Sequence, residues 1–191
     1  MRKIESEMIA FLDNKLKDHG AAQIAIENKD PRKLFIYAAQ VCAGIREVGG
    51  NNQGRMVRLI QETVGRAEGE PWCMSFVQTC LAYAETKLEV VSPIPSTEHC
   101  MTAWHETPKM MRVRTIPLPG AIVIWKRGSG PAGHTGILTE YRRTTFEAVE
   151  GNTESGIAGG KVERDGGGIY ITSRSTKGNG NMTVVGYLKP F

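Results

Sequence analysis

Four residues of this 191-residue chain carry the types and spacing that suit nucleophilic chemistry: Cys73, His134, Glu150 and Asn152. Cys73 follows Glu-Pro-Trp in "GEPWCMSFVQTC" and opens an apolar pattern, Phe76, Val77, Cys80, Leu81 and Ala84, that recurs at helical spacing. Pro71 suits a first turn, so the pattern predicts that Cys73 lies at a helix N-terminus, where unpaired N–H groups and the positive end of the dipole favour a thiolate. That setting makes a thiol reactive, although the same pattern also accommodates Cys73 as the first core residue of the stripe. Cys80 lies mid-helix without that help and reads as core. Cys42 does the same inside another apolar helix.

A nucleophilic cysteine needs a base, and the histidines are His19, His99, His105 and His134. His19, in "KDHG", reads as an exposed helix C-cap. His99 and His105 flank Cys100 as H-C-x4-H, but the tightly spaced ligand pairs of a zinc site are missing, so no metal is expected. His134 opens the strand pattern "GHTGILTEY", and "TTFEAVEGN" follows. A hairpin turning near Arg142-Arg143 places Glu150 opposite Gly136 and Asn152 opposite His134. His134, Gly136, Ala148, Glu150 and Asn152 then share one face, where a carboxylate and an amide can orient the imidazole. A slip of one residue would turn both away, leaving a solvated strand end and a turn-forming Asn.

The elements that must position these residues follow from periodicity. Ile4, Met8, Phe11, Leu12 and Leu16 predict an amphipathic helix stopped at Gly20, and Asp30-Pro31 start a second that runs to Gly49-Gly50. A third helix lies in "GNNQGRMVRLIQETVG", a fourth begins at "EPWC", and a short one follows Ser96-Thr97 in a Pro-punctuated connection. From residue 117 onward "PLPGAIVIWKRGSG", "GHTGILTEY", "TTFEAVEGN", "GGIYITSRS" and "MTVVGYLKPF" read as five antiparallel strands. Helices first and strands second predict an α+β fold with a helical layer on an antiparallel sheet of five to six strands. The Gly-rich "GNTESGIAGGKVERDGGG" is expected to be a long loop, beside the site or simply flexible.

Composition narrows the function classes. Hydrophobic residues at 40% and charged residues at 23% describe an ordinary globular chain that folds by itself. The net charge of +4 comes from scattered lysines and arginines, without the basic stripe and interleaved aromatics of a nucleic-acid binder. No apolar run approaches the roughly 18 to 20 residues that span a bilayer, and the acidic positions of the first helix do not suit a signal peptide. Synthesis in the cytoplasm without a leader is therefore expected. The widely spaced cysteines call for reduced thiols rather than a disulfide framework.

Taken in order, "PWCMSFV", "PLPGAIVIW", "GHTGIL", "EGN" and "VVGYLKPF" resemble the CHAP and NlpC/P60 cysteine amidases and peptidases, over roughly residues 40–191. The resemblance implies a papain-like fold, with a catalytic domain over 41–191 and residues 1–40 as an N-terminal helical extension. It implies that Cys73 is the nucleophile and His134 the general base and later acid, oriented by Glu150 and Asn152, with no cofactor. Ala121 stands where the family often carries Asp. Trp72, Trp104 and Trp125 are candidates for a substrate groove, Trp72 and Trp125 foremost, or for core and rim positions.

The implied substrate is peptidoglycan, an anionic polymer suited to a mild positive charge, cleaved at the muramoyl-L-alanine amide or within the stem peptide or cross-bridge. The chain would then be a phage lysin released by a holin, or a prophage or secretion-system cargo. Two other readings keep the fold: an acyltransferase or deamidase acting on a protein target, and a non-catalytic binding or virion module.

Overall fold

A computed structural model describes residues 2–154 and 167–191. Among the described residues, six α-helices precede the strands: α1 (Ser6–Leu16), α2 (Gly20–Glu27), α3 (Pro31–Val41), α4 (Arg55–Glu62), α5 (Cys73–Leu88) and α6 (Cys100–Glu106). The strands are β1 (Arg112–Val113), β2 (Ile122–Arg127), β3 (Gly133–Arg142), β4 (Thr145–Thr153), β5 (Gly168–Ser175), β6 (Gly178–Asn179) and β7 (Met182–Leu188). They form one antiparallel sheet in the order β1-β7-β2-β3-β4-β5, with β6 against β7. The α+β architecture and all five expected strands are present; the two-residue β1 and β6 are additions too short to leave a periodic signal.

Helix α5 is the axis of the core, buried around nearly its whole circumference from Cys73 to Glu85. Such a helix must be covered on both sides. The sheet supplies one cover through Ile122, Ile124, Ile137 and Val149, and α1 to α4 supply the other through Met8, Leu12, Leu16, Leu34, Phe35, Val57 and Ile60. Most of its buried polar side chains are bonded: Thr79 Oγ1 donates to the Ser75 carbonyl at 2.9 Å and Gln78 Nε2 to the Pro95 carbonyl at 2.9 Å, while the Ser75 hydroxyl has no partner among the described residues. Residues 1–40 thus contribute three helices to the same core as α5. On the opposite sheet face a second cluster gathers Val123, Trp125, Leu138, Phe146, Ala148 and Tyr187.

Two helix boundaries depart from expectation. Residues 20–27 form α2, and His19 is its N-cap, with Nδ1 accepting from the Ala22 N–H at 3.2 Å, rather than a C-cap of α1. Gly20 begins a helix instead of ending one. Helix α3 starts as expected, with the Asp30 side chain accepting from the Lys33 N–H at 3.0 Å, but stops at Val41. Gly44, at φ 96°, turns the chain out so that its N–H reaches the Ile169 carbonyl and Arg46 bridges to Gly168 beside β5. Most of the Gly-rich segment expected to be a long loop lies outside the described residues.

The N-terminus is pinned to α5 by a buried ion pair. The Arg2 guanidinium donates to Glu85, Gln78 and the Ile94 carbonyl, and Glu85 also accepts from the Ser92 N–H at 2.8 Å. Glu85 is fully enclosed, so removing Arg2 strands its charge in the core. Arg2→Ala is expected to lower unfolding stability by about 3–5 kcal/mol, read from the urea midpoint.

Candidate active site

Cys73 is the first residue of α5, with Trp72 as the N-cap at φ −129°. The helix end is fixed from two sides. The Trp72 indole N–H donates to Glu47 Oε1 at 2.9 Å, and Gly151 of β4 lies so near that a Cβ there would stand 2.8 Å from Phe76 Cβ and 3.0 Å from the Trp72 ring. Only a residue without a side chain lets strand and helix approach this closely. The result brings the end of β4, next to Glu150, against the turn that carries Cys73.

The β3–β4 hairpin supplies the partner. Near the site its register is the expected one, with Ile137 opposite Val149 and Leu138 opposite Ala148; a bulge between Leu138 and Glu140 shifts it by one only toward the turn. Gly136 lies against Glu150, since a Cβ there would fall 2.7 Å from Glu150 Cγ. His134 and Glu150 are fully buried, and His134 Nε2 meets Glu150 Oε2 at 2.9 Å.

Asn152 does not join them. It makes no hydrogen bond to His134, and neither of its side-chain polar atoms has a partner among the described residues. The reason is local: the β4–β5 register breaks between Glu150 and Thr153, and Asn152 adopts φ 54°. A left-handed residue within a bulge leaves the strict alternation that would have put its side chain beside the imidazole.

The residues that complete the site come from β5. Arg174 Nε donates to Glu150 Oε1 at 2.8 Å and its Nη2 to Oε2 at 2.9 Å, and the Thr172 hydroxyl also donates to Oε1. Arg174 Nη2 continues to Thr153 Oγ1 at 3.2 Å, and its side chain is buried. The signal was an arginine two residues from a threonine within a β-branched run, on the face that alternation assigns to Glu150. On the other flank Cys100, first residue of α6, brings its Sγ to 3.9 Å from Cys73 Sγ.

The groove expected of the tryptophans is not formed by them. Trp72 and Trp125 are fully enclosed and Trp104 is 3% exposed. Their bulk backs the site: the Trp125 ring lies 5.5 Å from the His134 ring, opposite it in the β2–β3 ladder. Cys42 and Cys80 are fully buried, and burial pushes the Cys80 thiol well up, as suits a core position. His99 and His105 sit on the exposed side of the chain.

The electrostatics follow from these contacts. The Cys73 thiol is held well below its ordinary value: the Cys100 thiol beside it, the neighbouring His134 imidazole and the Met74 N–H outweigh the cost of burial. Burial pushes His134 down, but Cys73 and Glu150 overcome it and raise the imidazole to about 9. Burial likewise pushes Glu150 up, and His134 and Arg174 bring it down to about 2. These shifts favour a thiolate at Cys73, an imidazolium at His134 and a carboxylate at Glu150 beside the Arg174 guanidinium, charges that alternate in sign. With Nε2 committed to Glu150, Nδ1 is left for Cys73, and it completes no well-formed hydrogen bond among the described residues.

A cysteine at the head of a core helix, facing a histidine on an antiparallel sheet, is the papain-like arrangement. The model of the CHAP domain, a family of peptidoglycan amidases and peptidases, matches residues 65–152. The match runs from the turn before α5 to Asn152 and contains Cys73, His134 and Glu150. No curated protein and no solved structure matches the chain.

Because Glu150 stabilises the charged imidazole, Glu150→Gln should move the His134 titration to lower pH by about 1–2 units. Imidazole NMR of the two proteins measures the shift.

Proposed function

We propose that this chain hydrolyses an amide bond of peptidoglycan by thiol catalysis, with Cys73 as nucleophile and His134 as acid and base. The observation that carries the reading is the pairing of a depressed Cys73 thiol with a raised His134 imidazole at the N-terminus of a buried helix. The thiolate attacks the carbonyl carbon, and backbone N–H groups of the first turn stand where the oxyanion develops. The imidazolium protonates the departing amine, giving a thioester on Cys73. The neutral imidazole then takes a proton from water as it adds to the thioester, and returns it to the Cys73 sulfur as the acid product leaves.

Glu150 acts through His134 as a positioning residue, and Arg174 and Thr172 position Glu150. Asn152 enters this reading as a buried amide at the end of β4, without a partner among the described residues, that the substrate or the turning imidazole can engage. No cofactor takes part. The bond cut is the muramoyl-L-alanine amide or one in the stem peptide or cross-bridge, and mass spectrometry of muropeptides released from sacculi separates these.

Clearing of purified sacculi should fall about a thousandfold or more in Cys73→Ala and in His134→Ala; clearing at the wild-type rate by either protein refutes the reading. The pH profile has a defined sign. The reactive form needs thiolate beside imidazolium, so activity should rise through the depressed Cys73 value on the acid side. It should fall on the alkaline side as pH passes about 9, where His134 loses the proton destined for the leaving amine.

A further inference from the structure

The four cysteines of the chain form no disulfide, yet two of them stand face to face at the site. Cys73 and Cys100 are 27 positions apart in sequence, and each is the first residue of its helix, α5 and α6. Their sulfurs are 3.9 Å apart. A disulfide needs about 2.05 Å, so the pair lies within roughly 2 Å of bonding, a distance covered by side-chain rotation and a small shift of one helix. Helix α6 is the one suited to move, being seven residues long and tethered through the Pro-rich 89–99 connection. It rests on the backbone before His134, where a Cβ at Gly133 would be 3.0 Å from Cys100 Cβ. Cys42 and Cys80 also neighbour each other, but both are fully enclosed in the helical core, whereas Cys73 and Cys100 keep 5% and 6% exposure.

We propose that Cys100 is the resolving thiol for Cys73: oxidation of Cys73 by a hydroperoxide is captured as a Cys73–Cys100 disulfide, which reversibly switches the enzyme off. This rests on the reading of Cys73 as a reactive thiolate, not on the identity of the substrate. In the first step the Cys73 sulfur attacks the terminal oxygen of the hydroperoxide. An S–O bond forms as the O–O bond breaks, the sulfur is oxidised to a sulfenic acid, and the alkoxide or hydroxide that leaves takes a proton from the His134 imidazolium. In the second step the Cys100 sulfur attacks the Cys73 sulfur; the S–S bond forms, the S–O bond breaks, and hydroxide departs with the Cys100 proton as water. Two thiols and one hydroperoxide give one disulfide, one alcohol or water, and one further water. The disulfide ties up the nucleophile and keeps Cys73 from the irreversible sulfinic and sulfonic states, and an added dithiol restores it.

The test uses the full chain, reduced, exposed to a small excess of hydrogen peroxide, alkylated, digested and mapped by mass spectrometry. The expected product is a peptide containing Cys73 linked to one containing Cys100, with fragmentation placing the link on Cys73 and not on Cys80. Dithiothreitol should return the treated wild-type protein to within about twofold of its untreated activity. Cys100→Ser and Cys100→Ala, each compared with its own untreated sample, should instead accumulate sulfinic and sulfonic acid at Cys73 and stay at least about tenfold down after dithiothreitol. Irreversible acids at Cys73 of the wild-type protein with no Cys73–Cys100 peptide would overturn the proposal, as would equal recovery in the Cys100 variants. The peptide map does not depend on peptidoglycan cleavage, so a failure of the hydrolase reading alone leaves the disulfide measurable.

Discussion

The site depends on one constraint: a carboxylate, Glu150, kept ionised with no exposure to solvent. A buried charge of this kind is tolerated only when paired and fully hydrogen-bonded. Glu150 meets the condition through Arg174, Thr172 and His134, which occupy both of its oxygens. Once Glu150 is fixed as an anion, His134 is stabilised as a cation, and the imidazolium in turn stabilises the Cys73 thiolate. The alternation of sign extends from β5 through β4 and β3 to the head of α5. It balances to zero net charge across four residues, so charged side chains can persist in a dry interior.

The fold supplies the two alignments this requires. Three neighbouring antiparallel strands set Arg174, Glu150 and His134 at the depths where their side chains meet, and Gly136 leaves the room that Glu150 occupies. Gly151 then lets β4 approach α5 closely enough to present the helix terminus to the histidine. Burial of α5 on all sides, by the sheet and by the N-terminal helices, holds that terminus still. Preorganisation of this kind keeps reacting groups near their working geometry without cost at the moment of reaction.

The parts of this arrangement legible in sequence are those governed by period. The α5 stripe and the β3–β4 alternation suffice to bring His134 to Glu150, because a hairpin register is set by its turn and its apolar face. Asn152 escapes the same logic: a bulge and a left-handed backbone break the alternation at its position, and neither leaves a mark in a two-residue period. Arg174 escapes because its partner lies across a long connection, on a strand pairing that the residues of β5 alone do not specify. Trp72 and Trp125 illustrate another limit. An aromatic beside a catalytic residue fits a groove wall and a buried backing equally well, and only the packing decides. Helix α2 lacks the acidic or hydroxyl cap and the sharp apolar period that announce a helix, and an imidazole does the capping instead.

The central claim is the ion pair itself, and ultraviolet absorbance of the thiolate measures it without substrate or label. The difference between the wild-type protein and Cys73→Ala, followed across pH, isolates the single sulfur. The account predicts that thiolate absorbance is already fully present at neutral pH and is lost only on the acid side, well below the ordinary thiol value of about 8.5. An absorbance difference that first emerges as the pH is raised through that ordinary value would contradict it, and the alternating charges would no longer describe the resting site.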